Sequence, residues 1–403
     1  MIGNQNDPEE VSICINPKKP SQLVAGANIN NYYFSNDTGK TWRSGLLNSK
    51  YGVWGDPCVV VDTFGSFLFF HLSNPPGGSW VDRTVCQKST DGGVSWSQGT
   101  YSGLNGKKVE DKHWAYVDRK TNHIFVTWTQ FDKYESKNPM DSSNIMFTES
   151  FDDCRTWTAA KRINKVAGGC MDNDKTVEGA VPAVGPDGEI YVAWAVNEGI
   201  HFNRSLDTGK TWLEKEIFVS DMPGGWDYKI SGLQRCNGMP ITVCDLSNGP
   251  NKGTIYINWS DQRKGAKNTD VWLAKSTDKG MTWSKPVRVN NDSTKTQQFL
   301  SWMAIDQTNG YLYIDFYDRR NYRDSKTDVY LAQSKDGGNT FTNIKISQRN
   351  FKPNDKVFMG DYNNITACNN IIRPMWTSMD EHGGLSVWTA LISVKDFDKV
   401  EKK

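Results

Sequence analysis

The chain has 403 residues, with 47 Lys and Arg against 46 Asp and Glu, so it lacks the basic excess that nucleic-acid binding uses. Sixteen Trp, 15 Tyr and 17 Phe beside 35 Gly point to aromatic strands joined by glycine turns, an all-β composition. No run of 18 apolar residues exists, so no membrane-spanning helix is expected, and the opening MIGNQNDPEE has neither the basic nor the apolar region of a signal peptide.

In chain order, strand-like runs come in sets. The first set is EVSICIN, QLVAGAN, NYYFSN and WRSGLL; the second is DPCVVVD, SFLFFHL, RTVCQKS and WSQGTY. The third is HWAYVD, HIFVTWT, NIMFTES and WTAAKRI; the fourth is GAVPAVG, GEIYVAWA, GIHFNRS and WLEKEIFV. The fifth is MPITVCD, GTIYINWSD, DVWLAKST and WSKPVRV; the sixth is SWMAID, GYLYIDFYD, DVYLAQS and FTNIKIS. Between the third and fourth run of every set stands one eight-residue motif, Ser-x-Asp-x-Gly-x-Thr/Ser-aromatic. Its copies are SNDTGKTW (35–42), STDGGVSW (89–96), SFDDCRTW (150–157), SLDTGKTW (205–212), STDKGMTW (276–283) and SKDGGNTF (334–341).

The chemistry of the motif is local. The Asp carboxylate accepts amides of its own turn, the hydroxyls close the same network, and Gly supplies a left-handed backbone position. The final aromatic opens the next strand and packs between sheets. In the third copy Cys154 stands in the Gly slot, which predicts a distorted turn, and the sixth copy ends in Phe341. A unit of one four-stranded sheet recurring at this spacing predicts a ring of blades.

After the sixth motif come GDYNNITAC (360–368), IIRPMWTSM (371–379) and LSVWTALIS (385–393), with no further copy. These are three strands of a seventh blade, whose fourth is expected from the N-terminal segment. The expectation is therefore an all-β, single β-propeller domain over 1–394, of seven four-stranded blades with six as the alternative. Residues 395–403 are expected as a loose tail. The eight cysteines show no CxxC pair and no zinc spacing, so neither a metal nor a cofactor is expected. Buried free thiols are the simplest reading of them; Cys236 with Cys244 and Cys154 with Cys170 are the candidate disulfides.

Alternating connections place the motif turns on one face of such a ring and the starts of first strands on the other, with the ends of second strands. That second face collects Asp56, His113, Glu178, Arg235, Asp361 and Tyr362 from strand starts. Arg263 and Arg320 come from strand ends, and Trp302 from a first strand. Carboxylate pairs there suit acid/base work on glycosidic bonds, and Arg forks bind anions. Trp54, Trp114, Trp226, Trp302 and Trp376 are candidate sugar-stacking surfaces. Arg263 and Arg320 each follow an Asp by two residues, so local loop-locking pairs with Asp261 and Asp318 are the competing reading. Core packing competes for Tyr362, a turn-forming role for Asp56, and a structural role for His123.

The motif turns resemble the Asp boxes, or bacterial neuraminidase repeats, of the sialidase-like superfamily. Phrases such as GDPCVVVD, DKHWAYVD, YINWSDQR, FYDRRNY and MGDYNNI are similar to bacterial exo-α-sialidase-like proteins. The resemblance implies a secreted or periplasmic glycoside hydrolase acting on acidic glycans. In it Asp56 is the acid/base, Tyr362 the nucleophile assisted by Glu178, and Arg235, Arg263 and Arg320 the clamp for an anionic sugar. The early Phe-Arg-Ile-Pro segment of sialidases is missing; NPKKP (16–20), with Lys18 and Lys19, stands where it would fall. Seven-bladed lyases of uronate polymers in the same superfamily give a second reading, with His113, Tyr362 and Arg320 as the reacting set. A non-catalytic propeller that binds carbohydrate or protein is the third.

Overall fold

A computed structural model describes residues 1–401. Twenty-eight strands form seven antiparallel sheets, so the protein is a seven-bladed β-propeller and the six-blade alternative falls. Blade one holds β1 (Ser12–Ile15), β2 (Leu23–Ala27), β3 (Asn31–Ser35) and β4 (Arg43–Leu46). Blade two holds β5 (Cys58–Val61), β6 (Phe67–Leu72), β7 (Thr84–Ser89) and β8 (Thr100–Ser102). Blade three holds β9 (Val109–Val117), β10 (Ile124–Phe131), β11 (Ser143–Ser150) and β12 (Lys161–Arg162). Blade four holds β13 (Pro182–Val184), β14 (Ile190–Val196), β15 (Gly199–Ser205) and β16 (Ile217–Asp221). Blade five holds β17 (Ile241–Cys244), β18 (Ile255–Asp261), β19 (Asp270–Ser276) and β20 (Val287–Arg288). Blade six holds β21 (Gln298–Asp306), β22 (Tyr311–Asp318), β23 (Asp328–Ser334) and β24 (Thr342–Lys345). Blade seven holds β25 (Asn364–Cys368), β26 (Ile371–Met379), β27 (Leu385–Thr389) and β28 (Ile392–Ser393).

The first strand of each blade packs against the first strands of its two neighbours, and β25 meets β1 to close the ring. In blade seven, β27 and β28 pair the same side of β26, two halves of one third strand. The outer edge of that strand takes the N-terminus: Ile2 N donates to Val387 O at 2.7 Å, and Val387 N to Gly3 O at 2.8 Å. Gly3 is required there, because a Cβ would stand 2.5 Å from the Tyr33 ring. The expected fourth strand is thus supplied, as one short bridge. The tail is not loose. Helix α1 (Val394–Glu401) packs beside β24, with Phe397 fully buried near Tyr313 and Asp398 3.0 Å from Lys335 Nζ. Lys402 and Lys403 of that expected tail lie outside the described residues.

All six motif turns share one bond pattern. The Ser hydroxyl donates to Asp Oδ1 at 2.7–3.0 Å and receives the amide of the fifth residue at 2.8–2.9 Å. The Thr or Ser hydroxyl donates to Asp Oδ2 at 2.5–2.7 Å. These donors draw the carboxyls of Asp37, Asp207 and Asp278 down to about 2.

The third turn keeps the pattern, contrary to the expected distortion: Cys154 adopts φ 61°, and its amide donates to Ser150 Oγ at 2.9 Å. What changes is its neighbour. A Cβ at Gly209, Gly280 or Gly338 would come within 2.7, 2.3 or 2.7 Å of Phe147, Phe202 or Leu273, three residues before the motif of the preceding blade. At that position before Cys154 stands Cys86, a smaller side chain whose thiol meets the Cys154 thiol. All eight cysteines are free, so neither Cys236–Cys244 nor Cys154–Cys170 is a disulfide.

Motif aromatics pack on the preceding blade as expected: Trp157 on Phe70, Trp212 on Phe147, Trp283 on Phe202. In blades two to five, however, the outer strand starts four or five residues after the motif aromatic rather than at it. In blades two, three and five one residue first ties that stretch to strand three: Ser97, Thr158 and Ser284 donate their amides to the carbonyls of Lys88, Glu149 and Lys275, and their hydroxyls accept the amides of the same residues. An edge strand has no outer partner to hold it in register, so its ladder shortens. No helix among the described residues is long and apolar enough to cross a membrane.

Candidate functional site

The ring axis holds a cavity of about 540 Å³ lined by the first strands. The rings of Trp114, Trp302 and Tyr362 stand across it, with centroids 4.4 Å apart for Trp114–Trp302 and 5.2 Å for Trp114–Tyr362. Trp114 and Trp302 sit mid-strand in β9 and β21 and Tyr362 just precedes β25, so the three rings close the cavity off from the face opposite the motif turns.

On that face the first strands open with left-handed residues: Glu10 (φ 49°), Asp56 (φ 52°), Lys112 (φ 48°) and Leu300 (φ 49°). At Lys112 and Leu300 the strand pair is also bulged, between Thr127 and Thr129 and between Phe299 and Trp302. Bulges re-aim side chains at strand ends. Here they gather charge on the axis.

Lys112 is the hub. Its ammonium lies 3.0 Å from Asp361 Oδ1, 3.3 Å from Glu10 Oε1, 3.7 Å from Asp56 Oδ2 and 5.2 Å from the Tyr362 ring centroid, and its side chain is 5% exposed. Asp361, fully buried, also forms an ion pair with Arg235, its Oδ2 2.9 Å from Nε, and Arg235 reaches Asp172 at 3.3 Å. Asn28 ties the acids together: its amide donates to Glu10 and Glu9, and its carbonyl takes the Asp56 N–H at 2.7 Å.

Carboxyls outnumber cations, and protonation resolves the excess. Asp361 is held below the usual carboxylate range; Lys112 and Arg235 offset the penalty of its burial. Burial pushes Glu9 and Asp111 up to about 8 and Glu10 well above the ordinary value. Glu178 is fully buried, and neither of its carboxyl oxygens has a hydrogen-bond partner. Burial, then the carboxyls of Asp111 and Asp172, push it well above the ordinary carboxylate range and favour its neutral form. Lys112 and Arg235 are raised well above their ordinary values by the surrounding acids and stay charged.

Of the residues singled out from sequence, Asp56, Glu178, Arg235, Tyr362 and His113 belong to this end of the axis. Burial pulls His113 down to about 4, so its imidazole is neutral. Tyr362 is held far above its ordinary value by burial and by Asp56, Glu10 and Asp361, and its hydroxyl has no partner. Tyr362 and Glu178 share no hydrogen bond: the Tyr362 hydroxyl and both Glu178 oxygens are without a partner. Trp302 is one of the three rings across the cavity, 8% exposed.

Arg263 and Arg320 are held elsewhere. Arg263 Nε binds Asp261 at 2.9 Å, and its guanidinium lies over the Trp272 ring at 4.4 Å. Arg320 Nε binds Asp318 at 2.8 Å, and its guanidinium lies over Tyr330 at 4.1 Å. These are the local pairs that the Asp-x-Arg spacing allows. Trp114, Trp226 and Trp376 are buried; of the five stacking candidates Trp54 alone is well exposed, at 39%. Lys18 and Lys19 sit in the β1–β2 turn, on the motif face.

Lys112, Glu10 and Asp172 were not singled out. Glu10 opens its first strand as Asp56 opens the next, and that equivalence was the available signal.

No protein-family profile and no curated protein sequence matches the chain. Solved structures do. An ulvan lyase of a polysaccharide lyase family matches at 11% identity with a TM-score of 0.59, over 98% of this chain and 95% of that one. The NanB sialidase of Streptococcus pneumoniae matches at 10% identity and 0.54, over 93% and 84%. An α-L-arabinanase of Penicillium chrysogenum matches at 13% identity and 0.51, over 81% and 93%. At these identities the likeness is one of fold, and the resemblance to sialidase-like propellers holds at that level.

Proposed function

We propose that the protein is a carbohydrate-active enzyme, a glycoside hydrolase of acidic glycans working on the face opposite the motif turns. The observation that carries this reading is Glu178: a fully buried carboxyl without a hydrogen-bond partner, whose neutral form is favoured by burial and by the carboxyls of Asp111 and Asp172. A protonated carboxyl next to a second, more exposed one is the acid and base pair that glycosidic cleavage needs. Glu178 gives its proton to the leaving oxygen. Asp111, half-buried at the mouth, acts on the opposite side once ionised. Arg235, with 29% of its side chain exposed, offers its guanidinium to the anionic group of the substrate. Tyr362 is set aside as nucleophile, because no carboxylate is placed to take its proton. No cofactor enters the scheme, and a glycan substrate of this kind fits a secreted or periplasmic enzyme.

The test is a screen of acidic glycans read two ways, by new reducing ends and by ultraviolet absorbance of unsaturated products. Hydrolysis gives the first signal alone. Glu178→Gln should lower turnover at least a hundredfold with binding retained; full activity in that variant would remove the mechanism. Unsaturated products would install the lyase reading, with neutral His113 as base. Binding without either signal would leave a carbohydrate-binding propeller.

A further inference from the structure

Two indoles stand exposed side by side on the same face. Trp54 is 39% and Trp80 42% exposed, and their rings meet edge to face with centroids 6.2 Å apart. Trp80 in turn meets Tyr134 at 5.7 Å, and Tyr134 packs on buried Phe131 at 5.2 Å. Trp54 precedes Asp56 by two residues, and its amide is tied to Leu72 O at 2.9 Å at the end of β6. Val81, next to Trp80, is left-handed (φ 51°) and is bonded to Ser73 and Glu110 on either side. The wall is therefore held by backbone bonds at Trp54 and at Val81, the residue after Trp80.

A line of one hydrogen bond and two ion pairs joins it to the charged centre. The Tyr134 hydroxyl donates to Asp172 Oδ2 at 2.6 Å, Asp172 binds Arg235, and Arg235 binds Asp361. Paired exposed indoles fixed in place mark a binding surface, since a soluble surface gains nothing from them. Two of the cations flanking this wall are committed: Asp82 holds Arg83 at 2.7 Å, and Asp132 holds Lys108 at 2.9 Å. Acid groups and flat apolar rings suit an uncharged pyranose, whose C–H face packs on an indole while its hydroxyls donate to carboxylates.

Resting on the hydrolase reading above, we infer that Trp54 and Trp80 form a neutral-sugar subsite, one unit along the chain from an acidic sugar held at Arg235. The substrate is then an oligosaccharide or polysaccharide in which an acidic unit is linked to a neutral one. A polymer of acidic units throughout places a carboxylate against the wall and its acids and binds worse.

The experiment is affinity electrophoresis of the full chain in gels carrying hyaluronan, where acidic and neutral units alternate, or polygalacturonate, where every unit is acidic, with sialyllactose as a soluble competitor. The wild type is retarded by hyaluronan or displaced by sialyllactose, and is retarded less by polygalacturonate. Trp54→Ala and Trp80→Ala each weaken that binding about tenfold, while Phe64→Ala, an exposed aromatic on the motif face, binds as the wild type does. Mobility in blank gels and the melting temperature report that both Trp variants are folded. Wild-type affinity in both Trp variants overturns the subsite and leaves the hydrolase reading standing. Preference for polygalacturonate overturns the neutral-sugar assignment. Failure of the wild type to bind any of the three overturns both readings.

Discussion

Replacing Lys112 by Met removes the hub of the axial cluster and keeps most of its volume. Burial favours the neutral form of Glu10, so Asp361, 3.0 Å away and held below the usual carboxylate range, is the chief anion that Lys112 neutralises. At an effective dielectric of about 20 that single contact is worth about 5 kcal/mol of gross attraction. Desolvation of the ammonium offsets part of it, and breaking a buried pair from one side typically costs about 3–5 kcal/mol. Arg235 remains on Asp361 in the variant, which favours the lower end. The sign with pH follows from Asp361. Its folded pKa is depressed, so its contribution is present above its unfolded pKa near 4 and lost as pH falls below that. With Lys112 gone its pKa rises, and protonation in mild acid relieves the buried charge. Urea unfolding of both proteins at pH 8 and pH 5 should show a deficit of about 3 kcal/mol at pH 8 that shrinks toward pH 5. A second variant, Lys112→Met with Asp361→Asn, should recover part of the loss. A deficit under about 1 kcal/mol, or one equal at both pH values, would refute the electrostatic account of the cluster.

The wild type should itself be most stable in mild acid. Glu9, Glu110 and Asp111 are raised to about 8, so the stability they lend is full below about pH 4 and lost as pH climbs toward 8, while Asp361 and the motif aspartates lose theirs below about 4. Melting curves should peak between roughly pH 4 and 6, and a maximum at pH 8 or above would contradict the burial of these acids. Cys86→Phe alone should overpack against Cys154 and cost about 1–3 kcal/mol, whereas Cys86→Phe with Cys154→Gly rebuilds the pairing of the other blades and should recover most of it. Additive losses in that double-mutant cycle would show the two positions to be independent. Arg320→Met strands buried Asp318 and should cost about 3 kcal/mol with glycan turnover kept, whereas Arg235→Met should abolish turnover; the reverse ranking in activity assays would return Arg320 to the substrate site.

The blades were legible because the motif turns are local. Each closes its bonds within eight residues, so sequence carries the whole unit, and the departure at Cys154 was visible too. Its consequence was not, since the compensating residue, Cys86, lies on the preceding blade. The Arg263 and Arg320 pairs were likewise written two residues apart. The axial cluster is the opposite case. Lys112 meets Glu10 across 102 positions and Asp361 across 249, and a lone Lys in DKHW reads as solvated until those partners are placed. The missing hydrogen bond between Tyr362 and Glu178 was hidden for a related reason: an order of residues along the chain says nothing of how side chains from different blades meet at the axis.

The placement of the charge argues for use rather than for support. Glu9, Glu10, Asp56, Asp111, Asp172, Glu178 and Asp361 converge on two cations, and several are kept neutral only by raised pKa values. A core selected for stability alone would fill the axis with apolar side chains, which commonly equal or exceed buried ion pairs. The other end of this axis carries no such cluster: there the cavity has a largely apolar lining along the first strands. The acids are confined to the end that carries left-handed strand starts, bulges, the exposed Arg235 and the Trp54–Trp80 wall. Local rules broken together at one end of an otherwise regular ring are the signature of a site whose chemistry is kept at a cost in stability. That coincidence, rather than any single residue, directs the experiments to this face.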